Sequence, residues 1–537
     1  VGDVLSLSGQ RYEYGLGTHS DSILWVDLSG HAKRFKAIVG LDDDSKESIG
    51  SVRFFVYGDE KRLFDSGVLR AGQEGVPVDV DVTGIQRLAL IVDDGGDGGI
   101  SDHADWAEAR FEYSGTAPKT MAEPIEEAVI LTPKPGPMPR INGAKVIGVR
   151  PGSPLLFTVA ATGDRPMQFS AQDLPEGLLL DAQSGRLSGR ILEPGTYTVT
   201  LVVENPLGRA EGPLCIVVGD TLALTPPMGW NSWACWGGEI DEPRIRAAAQ
   251  AMADSGLIQH GWSYINIDGG WAGSGSRLRT SILDPIPNAQ EIVPASESFK
   301  DMKALTDFIH GLGLKAGIYA ESMQLPQGDP NSETQWTRQL SNWGFDYLKY
   351  KALNYRSNDL AALQEPYRRM KAALDGAGRD VILSLCQFGL GKVWEWGQAV
   401  GGNCWRTTGD IEDTWPRTTS LGFGQRDYGD YTGPGHWNDP DLLMIGRLGD
   451  RQTRLTPNEQ MTQMSLWCML SAPLLLSCDL TALDVFTLGL LTNDEVLAIN
   501  QDPLGRQARC VTQEDQLEVW SKDLEEGARV VALFNRS

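Results

Sequence analysis

Trp343-Gly-Phe-Asp-Tyr-Leu-Lys-Tyr-Lys351 is a short, largely apolar run that reads as a buried strand stopping at a loop. Trp405-Arg-Thr-Thr-Gly-Asp410 ends a second such strand. Working outward, Tyr264-Ile-Asn-Ile267 and Leu314-Lys-Ala-Gly-Ile-Tyr319 are of the same kind, as are Val381-Ile-Leu-Ser-Leu385 and the short core strand Leu474-Leu-Leu-Ser477. Amphipathic stretches lie between them, among them Met302–His310 and a helix near Leu363–Leu374. This strand–helix alternation over residues 220–507 predicts a parallel (β/α)8 TIM barrel.

The flanks have a different texture. Residues 1–114 alternate short strands, such as Ser51-Val-Arg-Phe-Phe-Val-Tyr57, with Gly and Asp turns, and predict a β-sandwich module. A Pro-rich linker follows over 115–139. Residues 140–219 predict a small immunoglobulin-like β-sandwich that reads as a spacer. Residues 508–537 return to a strand pattern, the expected beginning of a C-terminal β domain.

Composition excludes several classes of partner. A net charge of −24 opposes binding to nucleic acid or to anionic lipid, and by itself needs no explanation beyond solubility. No run reaches the roughly 20 apolar residues of a membrane helix. Seven cysteines are scattered without metal spacing and without a disulfide framework. A secreted or periplasmic protein is expected, its signal peptide not visible in this chain.

Barrel enzymes place their chemistry at the C-terminal ends of the strands. Those ends hold Trp230 and Asn231, Asp268, Tyr319 and Glu321, and Lys349 and Lys351. Further along come Cys386 and Gln387, Arg406 and Asp410, then Trp437, Asn438, Asp439 and Asp441. Aromatic faces for C–H groups, with short acids and amides for hydroxyls, suit a sugar, so the expected partner is a glycan or oligosaccharide. No phosphate-binding Gly-rich loop is present, since Gly269-Gly270 lacks the required spacing. No organic cofactor and no barrel metal are expected. Asp93, Asp94 and Asp97 of the first module form a cluster that reads either as a Ca²⁺ site or as a solvated turn. Trp106 reads equally as core or ligand contact, and His436 as packing.

The motifs PPMGWNSW (226–233), YINIDGGW (264–271), DYLKY (346–350), NCWRTTGDI (403–411), HWNDPDLLMIG (436–446) and LTNDEVLAINQDPLG (491–505) resemble glycoside hydrolase family 27, the α-galactosidases and α-N-acetylgalactosaminidases. RYEYGLGTHSDS (11–22) and HADWAEARF (103–111) resemble the NPCBM carbohydrate-binding modules, and the middle domain resembles Ig domains found between such parts. The resemblance implies a retaining hydrolase with an Asp nucleophile and an Asp acid/base. Asp410 matches the acid/base, Lys349 the sugar-binding lysine, and Arg406 an arginine near the sugar 2-position. Trp230 matches the ring at the pocket floor, and Asp268 the first acid of a pair that holds galactose hydroxyls. Tyr319, Cys386 and Asp439 join them as strand-end candidates for substrate contact.

Two positions depart from that pattern. Lys351 stands where the family carries its nucleophile, and Gly269 where it carries the second acid of the pair. A protonated amine cannot attack an anomeric carbon, and a neutral one gives an aminal-like adduct. Three readings remain. Another carboxylate, Glu321 or Asp268, serves as base for a water, or Lys351 binds an acidic or otherwise modified sugar. Alternatively the barrel only binds sugar, or Asp359 is the true nucleophile. The expected function is a glycoside hydrolase acting on a terminal α-linked galacto-configured or modified sugar.

Overall fold

The computed structural model describes residues 4–45, 50–59, 61–95, 101–122, 124, 127–273, 292–325, 329, 331–352 and 356–536. The chain divides into two compact units, one essentially of residues 1–126 and one of the remainder.

The first unit is built on a four-stranded and a five-stranded sheet. Alternation along Ala32–Leu41 and Ser51–Gly58 turns Phe35, Val39, Phe54 and Val56 inward, where they are fully buried. Trp106 belongs to this core: it is 1% exposed and meets Phe54 edge-on, ring centres 5.1 Å apart. Asp93 Oδ1 accepts the Gly95 N–H, and burial pushes the Asp93 pKa up to about 6. Asp97 lies outside the described residues. Among those described, no group of three His, Cys, Asp or Glu has metal-site geometry.

In the second unit, Gly195–Asn205 and Gly208–Val218 form a long hairpin in the immunoglobulin-like part, with Val199, Leu201, Leu214 and Ile216 inside. This part is tied to the base of the barrel by side chains. Arg150 Nε lies 2.6 Å from Asp380 Oδ1 while its Nη1 reaches Asp375, and the Thr158 hydroxyl donates to the Gly313 carbonyl at 2.7 Å.

The barrel strands are β1 (Met228–Asn231), β2 (Tyr264–Ile267), β3 (Lys315–Glu321), β4 (Tyr347–Lys351), β5 (Ile382–Leu385), β6 (Cys404–Arg406), β7 (Trp437–Asp439) and β8 (Leu474–Leu476). All neighbours pair in parallel, and a bridge from Leu443, just past β7, to Leu476 of β8 brings the ends of the sheet together. Helices return the chain to the base after each strand, several started by an aspartate cap. Asp301 accepts the Ala304 N–H, and Asp359 accepts the Ala361 N–H at the start of the helix Leu360–Asp375. Asp359 is therefore the cap of this helix, eight residues past the end of β4. His436 lies against the Trp405 ring, centres 6.2 Å apart. The last three strands, Arg509–Glu514, Leu517–Asp523 and Arg529–Asn535, form a sheet whose Trp520 and Phe534 pack edge-on against Phe423 of a barrel helix. No helix among the described residues is long and apolar enough to cross a membrane.

Candidate active site

Strand register decides which side chains share the mouth of the barrel. Asn231 pairs with Asn266, so β1 and β2 end side by side; Tyr319 pairs with Lys349 and Glu321 with Lys351 across β3 and β4. Arg406 pairs with Asp439 across β6 and β7.

Asp268, one residue past β2, is buried. Its Oδ2 accepts hydrogen bonds from Lys349 Nζ and Asn231 Nδ2, both at 2.8 Å, and its Oδ1 accepts the Gly269 N–H at 2.8 Å. Burial alone would raise the Asp268 pKa, but the Lys349 charge and these donors outweigh it, so the carboxylate titrates below its ordinary range. Lys349 moves the opposite way: burial opposes its charge, Asp268 outweighs the burial, and the ammonium is held. Its Nζ also sits 5.5 Å from the centre of the Tyr319 ring.

A buried pair of this kind is costly to break. Asp268→Ala is expected to lower the unfolding free energy by about 3–5 kcal/mol at neutral pH, because Lys349 is left charged and unpaired. The depressed pKa fixes the pH dependence. Its stabilisation is present above the unfolded value near 3.9 and is lost as pH falls below it towards the folded value. Urea titrations at pH 7 and pH 3 therefore show the gap between wild type and variant narrowing at the lower pH; a gap that widens contradicts the pairing.

Opposite this pair, Arg406 is only 2% exposed. Its Nη2 lies 2.8 Å from Asp441 Oδ2 and 3.1 Å from Asp410 Oδ1, and donates to the Gly409 carbonyl at 2.7 Å. The two acids differ sharply in setting. Asp441 is buried, and its Oδ2 also accepts the Ile411 N–H, whereas the Asp410 side chain is 72% exposed. Asp439 is buried as well. Its Oδ1 accepts the Asp441 N–H, and burial pushes its pKa up to about 6. Burial raises the Cys386 thiol to about 11, so it is a neutral wall group.

The β3 and β4 ends carry the departure seen in the sequence. Lys351 Nζ is 3.9 Å from Glu321 Oε1, and the same oxygen accepts the Tyr319 hydroxyl at 2.6 Å. Phe388 lies under both cations, its ring centre 5.4 Å from Lys351 Nζ and 5.4 Å from Arg406 Cζ. It is held at φ 57°, a left-handed backbone that turns the chain sharply after β5.

Two expectations shift. Trp230 has no exposed surface: its indole donates to the Cys478 carbonyl and its ring meets Trp236 edge-on. The open ring is Trp233, which is 48% exposed. A Cβ at Gly269 would lie 3.2 Å from Trp233 Cζ3 and 4.0 Å from Tyr319 Cδ1, so the position that lacks an acid is bordered by aromatic rings. Gly270 is fixed by geometry, with φ 104° and the Gly238 carbonyl oxygen 2.4 Å from any added Cβ. Asn231 and Asp441, which the sequence leaves without a role, are built into the two polar clusters. Trp233 and Phe388 carry no sequence signal beyond their place next to strand ends.

Comparison with known proteins identifies the parts. Residues 225–502 match the family profile described as Alpha galactosidase A, residues 1–112 match the NPCBM/NEW2 domain, and residues 139–219 match an Ig domain. An alpha-galactosidase of Cyamopsis tetragonoloba is 39% identical over 322 residues, 59% of this chain and 74% of that protein. Alpha-galactosidase 2 of Arabidopsis thaliana is 39% identical over 346 residues, 64% of this chain and 81% of that protein. The crystal structure of alpha-galactosidase I from Mortierella vinacea superposes with a TM-score of 0.53 at 29% identity, covering 58% of this chain and 82% of that one. With a family profile spanning the whole barrel, and catalogued relatives aligned over most of their own length, the chain belongs to the α-galactosidase family, glycoside hydrolase family 27.

Proposed function

We propose that this chain is a glycoside hydrolase that removes a terminal α-linked galacto-configured or modified sugar, with Asp410 as its general acid. The observation that carries the reading is the contrast around Arg406. This buried guanidinium is fixed by Asp441 and presents the exposed Asp410 carboxyl at the barrel mouth. An open carboxyl held by an immobile partner suits proton delivery to a leaving-group oxygen. Asp268, Lys349 and Asn231 provide acceptors and donors for sugar hydroxyls, and Trp233 a face for its C–H groups. The galacto configuration is taken from the α-galactosidase relatives. A glycan substrate and an N-terminal module of carbohydrate-binding type fit a secreted or periplasmic protein. The reaction needs no organic cofactor.

A second reading, a sugar-binding protein on a hydrolase barrel, is favoured by the cation at Lys351. A panel of aryl α-galactosides and α-N-acetylgalactosaminides separates the two. Turnover by the wild type at rates well above buffer supports the hydrolase. Sugar binding by calorimetry with no release from any member of the panel supports the binding protein.

A further inference from the structure

We infer that His19 and His103 of the N-terminal module form a binding site for a divalent transition-metal ion of the zinc type. The site lies wholly within that module and is independent of the barrel chemistry.

Strand pairing places the two rings together. The strands Gly15–His19 and His103–Tyr113 run antiparallel, with His19 directly opposite His103. Residues opposite one another in such a pair carry their side chains on the same face. Here it is the outer face, because Ala104 and Trp106, which alternate with His103, are buried in the core of the module. The hairpin of Leu5–Leu7 and Gln10–Tyr12 lies against the next row, Gly17, Asp105 and Gly40. Leu5 Cδ2 would be 3.2 Å from a Cβ at Gly17, and Leu7 Cδ2 3.1 Å from one at Gly40. The row of histidines is beyond this cover, and both rings are exposed.

The ring geometry suits a chelate. The two centres are 5.5 Å apart and the planes are inclined at 60°, so the rings are not stacked. With Zn–N bonds of about 2.0–2.1 Å, ring centres about 1.2 Å beyond the bonded nitrogens and a tetrahedral angle, two imidazoles on one zinc have centres roughly 5.2 Å apart. His19 Nδ1 donates to the Ser20 carbonyl at 2.6 Å, which leaves the lone pair on Nε2. Metal-bound histidines are oriented by this kind of bond from their other nitrogen. His103 makes no side-chain hydrogen bond among the described residues.

The surroundings favour a cation. The Asp42 N–H donates to the His103 carbonyl, so Asp42 continues the row past His103. Asp105, two residues along the strand, shares the face; it is 2% exposed and its Oδ2 finds no donor. Neither carboxylate has an ion pair among the described residues. Two imidazoles select a zinc-type ion over Ca²⁺ and Mg²⁺, which take oxygen ligands. The remaining positions on the metal are open to water.

The test is calorimetric titration of the full chain, free of any affinity tag, with ZnCl2 at neutral pH. Wild type, His19→Gln and His103→Gln are compared. The wild type is expected to bind one Zn²⁺ at this pair, and each variant to lose that binding event. CaCl2 is expected to give no binding event that depends on either histidine. Both rings are exposed, so the variants are expected to keep the wild-type Tm in EDTA, and only the wild type to gain Tm on adding zinc. A wild type that binds no Zn²⁺ overturns the inference. So does zinc binding that survives either substitution unchanged.

Discussion

Lys351→Asp is expected to raise turnover of p-nitrophenyl α-galactoside far above that of the wild type. The substitution puts a carboxylate at the end of β4, in the frame where the family pattern carries its nucleophile. It also removes the ammonium 3.9 Å from Glu321 Oε1. An aspartate there can attack the anomeric carbon and form an acylal-type intermediate that water then opens, which is the retaining route. The first product should therefore be the α-anomer. A Lys351→Asp protein that gives the β-anomer contradicts the assignment of the β4 end. A folded but inactive variant instead points to the Gly269 change, and to a pocket bordered by Trp233 and Tyr319 that serves another sugar.

The barrel was legible because each strand is a compact apolar run followed by an amphipathic segment. The helix expected near Leu363–Leu374 spans Leu360–Asp375, extended by one turn to its Asp359 cap. The Arg406–Asp410 spacing was equally readable, since four residues past a strand end bring an acid back over its own arginine, and the two meet at 3.1 Å.

What the sequence hid follows from breaks in strand alternation. Trp230 and Trp233 are both rings beside the end of β1. The strand stops at Asn231 and a helical turn starts at Trp233, so the first ring stays in the core and the second swings into the open. Asp439 and Asp441 look equivalent in Trp437-Asn-Asp-Pro-Asp441. Pro440 ends the regular strand, and a φ of 90° at Asp441 turns that acid, not Asp439, against Arg406. Cys386 and Tyr319 were visible as strand-end residues, but only burial shows that the thiol stays neutral and that the phenol serves to fix Glu321.

Asp410→Asn tests the central claim most directly, because the substitution removes an acid without disturbing the frame. Asp410 is largely exposed, so its contact with Arg406 contributes little to stability, and Arg406 keeps its buried partner Asp441. Any loss of activity is then chemical. General-acid assistance matters most when the leaving oxygen is strongly basic. The measurement is kcat/KM of wild type and Asp410→Asn on two substrates, an α-galactosyl disaccharide and p-nitrophenyl α-galactoside. The account predicts a loss of about 10²–10⁴-fold on the disaccharide, a much smaller loss on the nitrophenyl substrate, and disappearance of the alkaline limb of the pH profile. Equal losses on both substrates, or wild-type turnover of the disaccharide by Asp410→Asn, would contradict it.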